Sequence, residues 1–319
     1  MSARHFPVRP NLDQLRHQAK DLLRAVRQGQ SESIAEVQEH LRRSIDPAGV
    51  KLADVQHALA IAYGLPSWPR LVLACQMTKA IWDDDTDAVR RLVGKHPHLI
   101  KEDARGVVKM GNWGPPMSYA ANLGRNRIIA ALREMGAQDL DFAFDRACLQ
   151  GQIETARQLF AMGARPAKDA VVGPCETQNL EGLQILLEEW GATIDDGNGN
   201  SLAPVGMVLE TYCRNPRGKH GCLELFARHG IHLPDTPTMA LHRGRLDLLE
   251  QHLKRDPKLL SRTFTHREIY PPEIGCHEDE LAACTGTTVA GSTLLHLCIE
   301  FDEMDIAQWL LERGADVNS

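Results

Sequence analysis

The feature that most restricts what this chain can fold into is a recurrence. From Leu71 onward the sequence repeats two short apolar-periodic stretches around a residue type that accepts a left-handed backbone. Asp84, Gly124, Gly151, Asn179, Gly218, Gly244 and Asp302 hold that position. Gly, Asn and Asp enter the left-handed region most readily, whereas other types pay roughly 1 to 2 kcal/mol. Between the second and fourth copies, and between the fifth and sixth, these positions recur about every 26 to 28 residues. A unit that short buries its apolar face only by stacking on its neighbours, which predicts an array of helix pairs. Copies end in Gly136-Ala137, Gly163-Ala164, Gly191-Ala192 and Gly230-Ile231, and two others finish in the matching segments DAVRRLVGKHPHLI and DLLEQHLKRDPKLL.

The last copy, GSTLLHLCIEFDEMDIAQWLLERGADVN, resembles the ankyrin repeat almost position for position. Thr293 to His296 matches the TPLH start with Leu294 in place of Pro, Ile306, Ala307, Leu310 and Leu311 supply the second helix, and Gly314 to Asn318 gives the closing GADVN. The resemblance implies an all-α fold, an ankyrin-repeat solenoid of about seven degenerate helix pairs. It also implies that His296 ties neighbouring loops together rather than acting in catalysis. Copies shorter than the 33 residues of a full repeat are expected to lack most of the hairpin finger. Three junctions are longer, near 99–116, 193–204 and 260–292. Insertions of this kind fall on loops of one face, often the binding face.

Ahead of the repeats, four helices are expected. Asn11 with Gln14 and Ser33 with Glu36 read as capping boxes before two amphipathic stretches. A third helix runs from Leu52 to Tyr63 before Gly64, and Ser67 caps a fourth with Pro69 in its first turn. KLADVQHALAIAYGLPSWPRL resembles a helical pair that precedes ankyrin repeats in many bacterial proteins, with Trp68 as a packing anchor. The expected domains are therefore an N-terminal helical segment, 1–76, and an ankyrin-repeat domain, 77–319.

Composition excludes several classes. Hydrophobic residues make up 43% and charged residues 24%, and no apolar run reaches the roughly 18 residues that a membrane span needs. MSARHFPVRP has no apolar core that would read as a secretory signal, so a cytoplasmic location is expected. A net charge of -6 argues against a nucleic-acid partner, because that affinity rests on many phosphate contacts from Lys and Arg. Eight cysteines without CxxC spacing read as free thiols in a reducing compartment.

Candidate chemistry lies in the insertions. In the first, Arg105, Lys109, Trp113 and Tyr119 combine cations with aromatic rings, as a site for an anionic or planar ligand would; ordinary finger residues would look similar. In the second, Asp196, Asn198 and Asn200 have calcium-loop spacing, but position twelve is Met207 rather than a bidentate Glu, so a polar turn is expected. The third gathers His266, Glu268, Tyr270, Cys276, His277, Glu278, Asp279 and Cys284. Only Cys276 and His277 adjoin, which is poor zinc spacing, so no metal is assigned, and His266, Glu268, Tyr270 and His277 are the binding candidates. No nucleophile triad, phosphate-cradling glycine motif or metalloprotease signature is present, so no catalytic residue and no cofactor are assigned. The expected function is a scaffold or adaptor that binds a protein partner through its concave face and inserted loops. The alternative is an enzyme or small-molecule binder with a pocket formed by the first and third insertions. Self-association as a homodimer through the final repeat is a third reading.

Overall fold

The structure, a computed structural model, describes residues 4–106, 113–280, 282 and 288–318. Its contacts group the chain into two compact units, Met1–Ala143 and Phe144–Ser319. Helices dominate both, and no helix among the described residues is long and apolar enough to cross a membrane.

The first unit opens with α1 (Leu12–Arg27), whose N-terminal amides at Asp13 and Gln14 donate to the Asn11 side chain at 3.0 and 3.1 Å. The next helix departs from expectation. α2 (Ser31–Leu41) begins two residues ahead of Ser33, because the chain turns through left-handed Gly29 and re-enters helix at once. A cap at Ser33 has no terminus to serve, and Glu36 pairs with Arg4 instead (2.8 Å). α3 (Leu52–Ala62) is held at its start by Asp54, which accepts the Lys51 amide at 3.0 Å. α4 (Trp68–Trp82) is capped by Ser67 and has Pro69 in its first turn, as expected. Two apolar clusters bind these helices together. Leu15, Ala19, Leu59, Tyr63, Leu71 and Cys75 form one, with Trp68 packed against it, and Leu22, Val26, Val37, Val55 and Ala58 form the other.

α4 runs straight through residues 76 and 77, since Met77, Ala80 and Ile81 keep its buried stripe going. It therefore serves twice, as the last helix of the front bundle and the first of a helix pair with α5 (Thr86–Lys95), which ends in a 3-10 turn at Pro97–Ile100. The following pair, α6 (Pro116–Ala121) and α7 (Asn126–Glu134), lays first helix on first helix and second on second. The division between units falls within α8 (Leu140–Leu149).

The second unit continues in the same idiom: α9 (Ile153–Ala161), α10 (Val172–Glu176), α11 (Leu180–Gln184, running on as a π turn over Ile185–Glu189), α12 (Ala203–Glu210), α13 (Pro216–Arg228), α14 (Pro237–His242) and α15 (Leu246–Arg255). α10 packs on α12 and α11 on α13. After a 3-10 turn at Pro257–Leu260, β1 (Thr263–Phe264) pairs antiparallel with β2 (Ser292–Thr293), and between them lie α16 (His266–Ile269) and a 3-10 turn at Pro272–Ile274. α17 (Leu294–Glu300) and α18 (Met304–Glu312) form the final pair, with α17 against α14.

Five of the seven expected turn residues are left-handed: Asp84, Gly124, Gly151, Gly244 and Asp302 have φ between 56° and 66°. Two are corrected. At the fourth turn Gln178, not Asn179, is left-handed (φ 52°), and Asn179 caps α11 by accepting the Gly182 amide at 2.8 Å. Gln178 holds that conformation because its side chain is tied at both ends, donating to the Val208 carbonyl and accepting the Asn215 amide (3.0 and 2.8 Å). At the fifth, Gly218 lies inside α13, which Asn215 caps. It is glycine for another reason: a Cβ there would strike the Gln178 carbonyl oxygen.

Candidate functional site

In the first unit the structure brings three of the four first-insertion candidates together; Lys109 lies outside the described residues. Trp113 stacks near Trp82 (6.4 Å between centroids) and tilts against Tyr119 (5.0 Å). Tyr119 is fully buried on α6, and its hydroxyl is used twice, accepting from Trp82 Nε1 at 2.7 Å and donating to the Val8 carbonyl at 2.6 Å. Burial pushes that hydroxyl up to about 12, against the hydrogen bond from Trp82. Arg105 is buried as well, with a guanidinium nitrogen 3.4 Å from the Phe6 carbonyl. Arg9 lies over the Trp82 ring at 4.9 Å. Together these contacts fasten the extended segment before α1 to the first two helix pairs.

In the second unit, His266, Tyr270 and His277 meet in the third insertion, whereas Glu268 points to local work. Its carboxylate completes the capping box of α16 by accepting the Thr265 amide and hydroxyl (2.9 Å each), and it pairs with Arg262. Hydrogen bonds from Thr265 and the charge of Arg262 hold it below the usual carboxylate range. Cys284 lies outside the described residues.

The other three residues join groups that sequence reasoning did not single out as partners. Glu210, buried at the end of α12, accepts the His277 amide and sits against His277 Nδ1, both at 2.7 Å. His266 Nε2 lies 3.0 Å from the His277 carbonyl. On α14, His242 donates from Nε2 to the Ile269 carbonyl at 2.9 Å, and the Thr238 hydroxyl donates to the Glu268 carbonyl. Tyr270 is buried with His242, His266 and Phe301 around it at centroid distances of 5.9, 5.3 and 6.2 Å. Behind Phe301, the Lys219 ammonium lies 4.6 Å over the ring and 2.8 Å from Glu303, which His220 also reaches at 2.8 Å. Burial works to raise the Glu303 carboxyl, but His220 and Lys219 outweigh it and leave the acid lowered. Burial lowers Lys219 and pulls His242 down to about 3, so His242 is neutral.

The polar accounting of this cluster does not close. His242 Nδ1, His266 Nδ1 and the Tyr270 hydroxyl are buried without a hydrogen-bond partner among the described residues. A legible signal for Glu210 did exist: it is a carboxylate on the inward side of the apolar run PVGMVLE. Nothing in the sequence told that His277 would answer it.

The acidic turn of the second insertion uses its carboxylates on its own backbone. Asp195 accepts the amides of Gly197 and Gly199, and Asp196 those of Asn198 and Asn200, at 2.6 to 3.1 Å.

A third feature is apolar. On the outer face of α17 and α18, Ile299, Met304, Leu311 and Val317 stand 66%, 61%, 43% and 69% exposed. They border a groove of about 490 Å³. Trp309, by contrast, is half-buried beneath the Arg313 guanidinium at 3.9 Å.

The ankyrin-repeat family model matches residues 290–319, the stretch that holds β2, α17 and α18. No curated protein matches the chain.

Proposed function

With an ankyrin repeat at residues 290–319 as the premise, we propose that the chain is a protein-interaction scaffold or adaptor. In this reading the helix pairs from α4 onward are about seven degenerate ankyrin-type units behind an N-terminal helical segment, and a protein partner is bound through the concave face, the inserted loops and the apolar outer face of α17 and α18. Ankyrin repeats support a protein-interaction role in general, and solenoid surfaces vary without unfolding the stack because each unit leans only on its neighbours. The observation that carries the reading is the exposed apolar face of α17 and α18: four large apolar side chains side by side mark a surface made to be covered. The insertions fit the same role. His277 binds Glu210 of α12, Glu268 binds Thr265, and Trp113 packs on Trp82 of α4 and Tyr119 of α6, which makes the insertions ledges fixed beside the helices.

The test is affinity capture from native extract with the full chain and with Leu311→Asp. The expected result is a discrete set of proteins retained by the first and lost with the second at unchanged thermal midpoint. An identical set from both would overturn the reading.

A further inference from the structure

Resting on that reading, we infer that the outer face of α17 and α18 docks an amphipathic helix whose apolar stripe is flanked by Lys or Arg. Two ridges border the groove. Leu295 and Ile299 lie one turn apart on α17, and Met304, Ala307 and Leu311 follow the i, i+3, i+7 spacing of one stripe on α18, with Val317 closing the end. Parallel rows of this kind receive the side-chain ridge of another helix.

Charge selects which helix. The ionisable side chains that line the groove, besides His296, are Asp305 and Asp316. Among the described residues no Lys or Arg lines it, and the nearby cation of α18's end, Arg313, is engaged elsewhere, 3.1 Å from Glu250 and stacked on Trp309. A partner helix with basic residues beside its apolar stripe meets opposite charge at both ends of the α18 ridge, Asp305 in its first turn and Asp316 just past its last, which steers encounter and fixes register. A second copy of this chain fits worse. A two-fold contact presents the same patch from both sides, so it would bring Asp305 and Asp316 of both copies into one interface with no Lys or Arg among the described residues of the groove to answer them.

The experiment uses the full chain and two fluorescein-labelled 18-residue helical peptides. Both carry Leu on one stripe; one has Lys on the flanks and the other has Glu at the same positions. Fluorescence anisotropy reads binding. The Lys peptide should bind at least about tenfold more tightly than the Glu peptide, and weaken as salt rises. Ile299→Asp should weaken the Lys peptide by about tenfold or more, as loss of a central apolar contact does. This variant makes the protein more acidic, so an attraction to bulk negative charge would instead grow. Met304→Asp, also at a mostly exposed position, repeats the test should Ile299→Asp fail to fold.

Equal affinity for both peptides, or undiminished binding by the Asp variants, would overturn the inference. So would a concentration-dependent dimer in light scattering that Ile299→Asp dissolves, since a second copy would then occupy the face. Failure of both peptides while Leu311→Asp still loses native partners would sink the basic helix alone. Failure of both experiments would remove the interaction reading as well.

Discussion

The first and third insertions both gather aromatic and ionisable side chains, yet they settle their polar groups differently. Around Tyr119 the hydrogen bonds form a closed relay, from the Trp82 indole to the phenol and on to the Val8 carbonyl. Around Tyr270 the phenol is as deeply buried, but it and one ring nitrogen each of His242 and His266 find no partner among the described residues. A satisfied buried group contributes about 1 kcal/mol net, whereas an unsatisfied one costs about 1 to 3 kcal/mol. The first insertion is thus a fastening that stabilises its unit. The third is held by backbone-directed bonds and shape, and tolerates a polar deficit at its centre.

That contrast can be broken most forcefully where the third insertion meets α12 backbone to backbone. A Cβ on Gly206 would run into the Gly275 carbonyl, so Gly206→Ala should displace the insertion and lower the stability of the second unit by about 3 kcal/mol. A shifted urea midpoint together with lost amide protection over 263–280 checks it, and an unchanged midpoint would mean that the contact is slack. Acid comes next. His242 has a folded value of about 3, against an unfolded value near 6.5. Its stabilising share is therefore complete above pH 6.5 and is lost as pH falls from there toward 3, at up to about 1.4 kcal/mol per pH unit. Moving from pH 7.5 to 5 should cost about 1 to 2 kcal/mol, and His242→Gln should flatten that slope. Glu303, held below the usual acid range, adds its own loss only at still lower pH.

Two matched substitutions sharpen the comparison. Tyr119→Phe strands both the Trp82 N–H and the Val8 carbonyl, and should lower stability by about 1.5 kcal/mol in urea titration. Tyr270→Phe removes a hydroxyl that has no hydrogen-bond partner among the described residues, and should shift the midpoint by less than about 0.5 kcal/mol or raise it. Equal losses in the two variants would erase the distinction between the insertions.

Local chemistry made much of the helical architecture legible. Asn11 and Ser67 announce helix starts, and Asp84, Gly124, Gly151, Gly244 and Asp302 mark turns, because each effect depends on one residue and its immediate backbone. Apart from the start of α2, which the local turn at Gly29 moves ahead of Ser33, the departures fall where distant groups decide. Gln178 accepts a left-handed backbone only because Val208 and Asn215 hold its side chain, and Gly218 is small only because the Gln178 carbonyl passes beside it. The candidate site divides likewise. His266, Tyr270 and His277 were visible as a cluster in one loop, but their counterparts Glu210, His242 and Phe301 stand up to 67 residues away along the chain, a distance over which spacing carries no signal. Leu311 has the spacing of an ordinary second-helix residue, and only the fold leaves it exposed beside Ile299 and Met304.

The two-residue ribbon of β1 and β2 has a further consequence for how this chain can change over generations. By clasping Thr263 to Thr293 and Phe264 to Ser292, it fixes the stem of the loop independently of what the loop contains. Closure entropy rises only logarithmically, so doubling the tethered length costs about 0.6 kcal/mol. Length and sequence can therefore change beyond His277 while α15, α17 and the buried stretch from Phe264 to Cys276 keep their stations, which makes that part of the loop the place in the second unit where new recognition is tried at least cost.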